Sequence, residues 1–286
     1  MFEQILSRLP PLVASGASTI AVILGVMAAI ALVEVVIPLH RRNRWNSRHL
    51  GPNLGLTFIT FATNLFFNAA IVLSLLWLQT QGLGLFNSLH VPILAETIIV
   101  VVALDFSFYI AHVLMHALPT FWRVHGVHHS DPAVDVTTTI RQHPLEGLIR
   151  YAFVALAAFP LGASPAAFAI YRTLSAIGGL LEHANIALPH WLSSTLSWIT
   201  TWPDMHKVHH SSDRLLTDTN YGNLLSLWDR LFGTFTPAQH GREVTYGLVG
   251  TDTPEHQKIS VLLTQPFDAS TRPNRPGASS HVEAPT

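Results

Sequence analysis

The stretch VPILAETIIVVVALDFSFYIAHVLMHALPTFWRVHGVHHS, Val91 to Ser130, decides the fold. Its first part, about Val91 to Leu118, is apolar and long enough for a membrane helix, which needs roughly 20 such residues to cross a core about 30 Å thick. The same stretch then carries five histidines, His112 and His116 as HVLMH and His125, His128 and His129 as HGVHH. A membrane helix thus runs directly into a histidine-rich polar segment.

Three further apolar stretches flank it. The first spans about Leu12 to Ile37 and is closed by Pro38; the second spans about Leu54 to Leu78. The third, about Leu145 to Leu181, is too long for one helix, and Pro160, Gly162 and Pro165 divide it into a helical hairpin. The expected fold is an all-α, polytopic membrane bundle of four or five passes with a histidine-rich helical cap. The N-terminal run is too long, and its start too poor in cations, for a cleaved signal peptide; it reads as a retained helix. Residues 1–90 form the N-terminal membrane part, 91–263 the catalytic part, and 264–286, rich in Pro, Ser, Thr and Ala, a disordered tail.

Composition agrees. Of 286 residues, 49% are hydrophobic and only 12% charged, about half the charged fraction of a soluble domain. Net charge −1 leaves no cationic excess for nucleic acid. The absence of cysteine removes disulfides, iron–sulfur clusters and thiolate metal sites together. Arg41, Arg42, Arg44 and Arg48 follow the first segment, whereas the loops at 79–89 and 160–165 contain no Lys or Arg. The positive-inside rule therefore puts the arginine loop, and with it 119–144 and 189–256, in the cytoplasm.

Histidine is the abundant polar residue: 17 in all, eleven of them between His112 and His210. A third cluster, HKVHH, supplies His206, His209 and His210; His143 stands in RQHPLE and His183 in EHANI. Positions i, i+3 and i+4 share a helix face, so the imidazoles of one turn can converge. Eight to ten imidazoles exceed the four to six ligands of one ion, which implies two metals at the membrane–cytosol boundary. Packed there without metal, so many ring nitrogens would be hard to satisfy. His40, His49, His90, His190, His240, His256 and His281 read as ordinary hydrogen-bonded or solvated histidines.

Carboxylates are scarce near these clusters. Asp105 lies two helical turns before His112 and is expected to orient it or another ligand. Glu146, Glu182 and Asp204 are similar candidates. Glu34 and Glu96 are expected near helix ends or paired with Arg172. The run Thr137–Thr139 and Tyr221 read as loop packing.

HVLMH, HGVHH and HKVHH, in this order around a membrane hairpin, resemble the fatty acid hydroxylase/sterol desaturase superfamily of membrane di-iron proteins. DFSFYIAHVLMH, RQHPLE, EHANIALP and NYGNLLSLWDRLFGTF are similar to its connecting phrases, and the resemblance covers about 95–240. It implies an oxidoreductase of lipid biosynthesis, using O2 and external electrons to hydroxylate or desaturate a C–H bond in a fatty acyl, sterol or related lipid. The implied metal ligands are His112, His116, His125, His128, His129, His143, His183, His206, His209 and His210, holding two Fe ions, with Zn a possible mismetallation. With no cytochrome b5-like module in the chain, the implied electron donor is separate, a reductase with a ferredoxin or a cytochrome b5-like protein.

Two other functions fit the residues. A membrane di-zinc metallohydrolase would use the same imidazoles, although Val113 stands where an HExxH motif has its base. A metal transporter would place ligands near the bilayer midplane, whereas these histidines gather at one side.

Overall fold

The computed structural model describes residues 2–40, 47–89, 91–251 and 253–268. Residues 41–46 of the arginine loop, His90, and the tail from 269, His281 included, lie outside the described residues, as does the side chain of His240. Twelve α-helices and two 3-10 turns are described, and apart from three isolated bridges there is no strand among the described residues. The protein is an all-α polytopic membrane protein.

Four helices are long and apolar enough to cross a bilayer. α1 (Phe2–Val36) and α2 (Ser47–Thr80) come first, followed by the short α3 (Leu85–Ser88) and by α4 (Ile93–Ala117). α5 (Pro119–His129) starts at a helix-initiating proline and carries the second histidine cluster. The hairpin consists of α6 (Pro144–Leu161) and α7 (Pro165–His183). Its break differs from expectation in one respect, since Pro160 is inside the last turn of α6. The chain turns at Gly162, which caps the helix with φ 61°, a left-handed conformation suited to glycine. Ser164 then caps α7 by accepting from Ala167 N. α6 is the fourth apolar span and α7 is not among them.

The main core joins α2, α4, α6 and α7 through Leu75, Leu104, Val154, Phe168 and Tyr171. α1 joins this bundle through Met27 and Ile30, which pack with Phe61, Ile140 and Leu180. Glu34 fixes its end: the buried carboxylate accepts from Val136 N and Asn185 N, both at 2.8 Å. Glu96 accepts from Ser164 N at the opposite end of the bundle. Neither pairs with Arg172. Apolar side chains such as Phe58, Phe66, Leu94 and Leu156 remain exposed on the outer faces, as lipid contact requires.

The cap comprises α5, α8 (His190–Leu196), α9 (Pro203–His209), α10 (Arg214–Thr217), α11 (Leu227–Leu231) and α12 (Ile259–Thr264). Residues 264–268, expected within the tail, are ordered: Phe267 N and Asp268 N bond Thr264 O, and Gln265 is buried. The 3-10 turn Val136–Ile140 carries the threonine run, with Asp135 and Thr138 forming a reciprocal cap.

Candidate metal centre

Nine of the ten histidines singled out in the sequence come together, in two buried groups. One contains His112, His116, His125, His129 and His209; the other contains His128, His183, His206 and His210. Within each group the nearest ring nitrogens all lie within 4.8 Å of one another.

The partition corrects the expectation that each HxxHH turn converges on one point. His125 and His129 enter the first group, while His128 between them enters the second. On the facing helix the roles reverse: His206 and His210 belong to the second group and His209 to the first. At about 100° per residue, i and i+4 are only about 40° apart, whereas i+3 lies on the other side of i. Each turn therefore straddles both groups, and α4 and α7 complete them with His112, His116 and His183.

The other ring nitrogens are fixed from outside. His112 Nδ1 donates to Tyr221 O at 2.8 Å, His183 Nδ1 to Gly179 O at 2.8 Å, His209 Nδ1 to Thr219 O at 2.7 Å and His128 Nδ1 to Arg141 O at 3.3 Å. A carbonyl can only accept, so these Nδ1 atoms carry the hydrogen. In the neutral rings Nε2 is then a bare lone pair. Yet His183 Nε2 lies 3.0 Å from His128 Nε2, and 3.1 Å from those of His206 and His210. His125 Nε2 is likewise 3.1 Å from His112 Nε2 and 3.2 Å from His129 Nε2. Between His128 and His183 no hydrogen is available. Two nitrogens bound at a right angle to one ion at about 2.1 Å lie about 3.0 Å apart. The separations and the tautomers both fit cations at the two centres, and His209 Nε2, buried without a hydrogen-bond partner, points to the same conclusion.

Burial, followed by the neighbouring imidazoles, holds His125, His129, His206 and His210 well below the usual histidine pKa of 6.5. The neutral rings that a metal requires are thus the favoured form at pH 7. Below pH 6.5 the unfolded chain takes up protons that the folded clusters resist, so stability falls as pH drops from 6.5 toward the depressed folded values. Bound metal is expected to persist at pH 6 and to be released, with a falling thermal midpoint, on stronger acidification. Metal content after gel filtration across a pH series measures this; full retention at pH 4 would contradict an all-histidine site.

His143 is not brought to either group. Pro144 begins α6, which leaves His143 as its extended N-cap; Nδ1 accepts from Leu145 N, and Nε2 faces Leu263 O at 3.1 Å. Two other residues of RQHPLE serve the site instead. Glu146 Oε1 is 3.2 Å from His125 Nδ1 and 2.7 Å from Arg150. Arg141 is fully buried and braces the loop behind His128. Glu182 lies 3.6 Å from His183 and 3.8 Å from His206. His116 Nδ1 meets Asp218 at 3.1 Å. Asp204 is buried at the start of α9 and belongs to neither group.

Asp105 acts differently from expectation. Its carboxylate accepts from Leu224 N, Leu225 N and Trp228 Nε1, at 3.0, 3.2 and 2.8 Å, rather than from His112. It holds the loop that carries Tyr221, and so reaches His112 through the Tyr221 carbonyl. Asp229 supports the same loop by accepting from Tyr221 N and Gly222 N. The backbone carbonyls of Tyr221, Thr219 and Gly179 were not foreseeable as partners, although Asn220, with φ 56° in NYGN, marks the bend that presents the first two. Asp105→Leu is expected to weaken metal binding about 10- to 100-fold through this loop, measured by chelator competition. Unchanged affinity would show that the loop holds without it.

A bundle of membrane helices ending in two buried imidazole groups defines a class: histidine-rich polytopic membrane metalloproteins. Residues 97–234, which contain all nine grouped histidines, match the family model described as fatty acid hydroxylase. The matched stretch is thus similar to the fatty acid hydroxylase/sterol desaturase superfamily over just under half of the chain. The chain is 30% identical over 181 residues to an ornithine lipid hydroxylase (OlsE) of Rhizobium tropici, covering 63% of this chain and 53% of that protein. It is 31% identical over 144 residues to an alkylglycerol monooxygenase of Xenopus tropicalis, covering 50% of this chain and 31% of that one. A cholesterol 25-hydroxylase-like protein of Danio rerio is 28% identical over 133 residues, with 46% of this chain and 51% of that one covered. The chain thus spans about half, or less, of the curated relatives' length. No solved structure gives a significant match.

Proposed function

We propose that the protein is an O2-dependent membrane oxidoreductase that hydroxylates or desaturates a C–H bond of a lipid. The nine grouped histidines hold two iron ions, and electrons come from a separate reductase with a ferredoxin or a cytochrome b5-like protein. The positive-inside rule applied to the arginines at 41–48 supports a site on the cytoplasmic side. Iron supplies, when bound, the oxygen-activating redox chemistry that an unactivated C–H bond requires and that no side chain provides.

The observation that carries this reading is a cavity of about 250 Å³ joining the histidines to the membrane bundle. His128, His183 and His206 of the four-membered group line it, and Ile20, Leu65 and Phe168 are among its apolar walls. An apolar chain entering from the bundle meets the histidines without crossing water. The apolar walls orient it and keep the site dry. The relatives' names, lipid hydroxylase and monooxygenase, agree. Neither group includes a carboxylate, which disfavours a di-zinc hydrolase with bridging carboxylates.

The test is expression in membranes with a reductase system and lipid profiling by mass spectrometry, with His128→Ala as control. Lipids gaining one oxygen or losing two hydrogens, absent from the variant, are expected. Identical profiles across donors would overturn the proposal, and metal flux across proteoliposomes would favour a transporter.

A further inference from the structure

The same cavity contains charge that the histidine centre does not use. Arg172 lines its wall on α7, eleven positions before His183, or about 16 Å along the helix axis at 1.5 Å per residue. Its guanidinium carbon is 4.7 Å above the ring of Tyr151, whose hydroxyl also interacts with it. No carboxylate pairs with it among the described residues, and its Nε is buried without a hydrogen-bond partner. Arg150, the other arginine of the cavity, is already paired with Glu146 at 2.7 Å. Glu182 stands at the histidine end, beside His183 and His206.

An arginine inside a membrane bundle is costly and marks a ligand or ion path by default. Its guanidinium matches carboxylate or phosphate with a planar fork of donors. Two amides accompany it. Asn64 and Asn68, one helical turn apart on α2, line the same cavity, and the Oδ1 of each is buried without a hydrogen-bond partner. Tyr151 links the two sides, because its hydroxyl meets Asn64 O at 3.4 Å while its ring lies under Arg172. The cavity thus presents an uncompensated cation beside two acceptors seeking donors.

We propose that this is the seat of a substrate headgroup, one that combines an oxyanion, carboxylate or phosphate, with a neighbouring N–H or O–H. Arg172 binds the anion, Asn64 and Asn68 accept from the donor, and the carbon presented to the histidines lies along the chain rather than in the head. This rests on the oxidoreductase reading for the fate of the ligand, but not for its binding.

Binding is therefore measured without turnover, by native mass spectrometry of the full chain in detergent with no reductant. The probes are N-dodecanoyl glycine, its neutral methyl ester, and dodecyl phosphate. The wild-type protein is expected to bind the acid at least tenfold more tightly than the ester. The phosphate arm shows which oxyanion is preferred: a phosphate bound more tightly than the acid points to a phospholipid, the reverse to an acylated amino acid. Arg172→Gln is expected to erase the preference for acid over ester with metal content unchanged, and Arg172→Lys to reduce it. An ester bound as tightly as the acid by the wild-type protein overturns the proposal whether or not a variant folds, as does an undiminished preference in Arg172→Gln. A preference that persists in a protein oxidising no lipid would sink the oxidoreductase reading and leave the headgroup seat standing.

Discussion

Replacing His183 by alanine is expected to halve the metal content, from about two ions per chain to about one, and to bring lipid oxidation to background. His183 Nε2 is the nitrogen around which His128, His206 and His210 gather at 3.0–3.1 Å. Its loss leaves three donors in that group and an opening toward the cavity that it lines. The five histidines of the other group keep their orienting partners, among them Tyr221 O for His112 and Thr219 O for His209. The metal-free variant is expected to unfold no more easily than the metal-free parent by more than the cost of a small cavity, since the opposed lone pairs of His128 and His183 are relieved. Elemental analysis of purified protein decides the matter: two ions retained would mean that His183 is not a ligand.

Arg141→Met is expected to give the largest loss of stability, about 3–5 kcal/mol, because it takes a charged donor away from several buried acceptors at once. The guanidinium is fully buried and donates to Val127 O, Asn53 Oδ1, Ser130 Oγ and Gln257 Oε1, at 2.8–3.0 Å. It therefore ties α2, the end of α5 and the segment before α12 to one point. Asp131, which accepts from Asn53 and Thr138, is held well below the usual carboxylate range by His49 and Arg141 despite its burial. A thermal midpoint lower by on the order of 10 °C should follow. His128, whose Nδ1 donates to the Arg141 carbonyl, should lose order too. A midpoint within a degree of the parent would show that water replaces the guanidinium.

The helices and the histidines were legible because their signals are local: apolar length for the spans, i, i+3, i+4 spacing for the clusters. The division of each HxxHH turn between two groups was not, because it depends on where the facing helix stands. RQHPLE shows the limit most clearly. The motif marks the site, but proline fixes His143 as a helix cap, and the work passes to Arg141 and Glu146 on either side. Asp105 was visible as a buried membrane carboxylate, but two of its three partners are backbone amides of a loop more than 100 residues away, and side-chain patterns do not report those.

His49, read as an ordinary histidine, proves to be buried against Asp131 and Asp135. Nothing in its sequence neighbourhood signals this, because both acids come from beyond α4.

Glu34 clamps α1 to the cap, and that clamp has an evolutionary consequence. α1 and α2 lie outside the segment that matches the family model, yet Gly16, Thr19, Ile20, Leu65 and Asn68 on them wall the cavity. The cavity is thus walled by two stretches of the gene, one inside the matched segment and one before it. Exchanging the first 90 residues between related proteins is expected to reshape one side of that wall while leaving the nine grouped histidines in place.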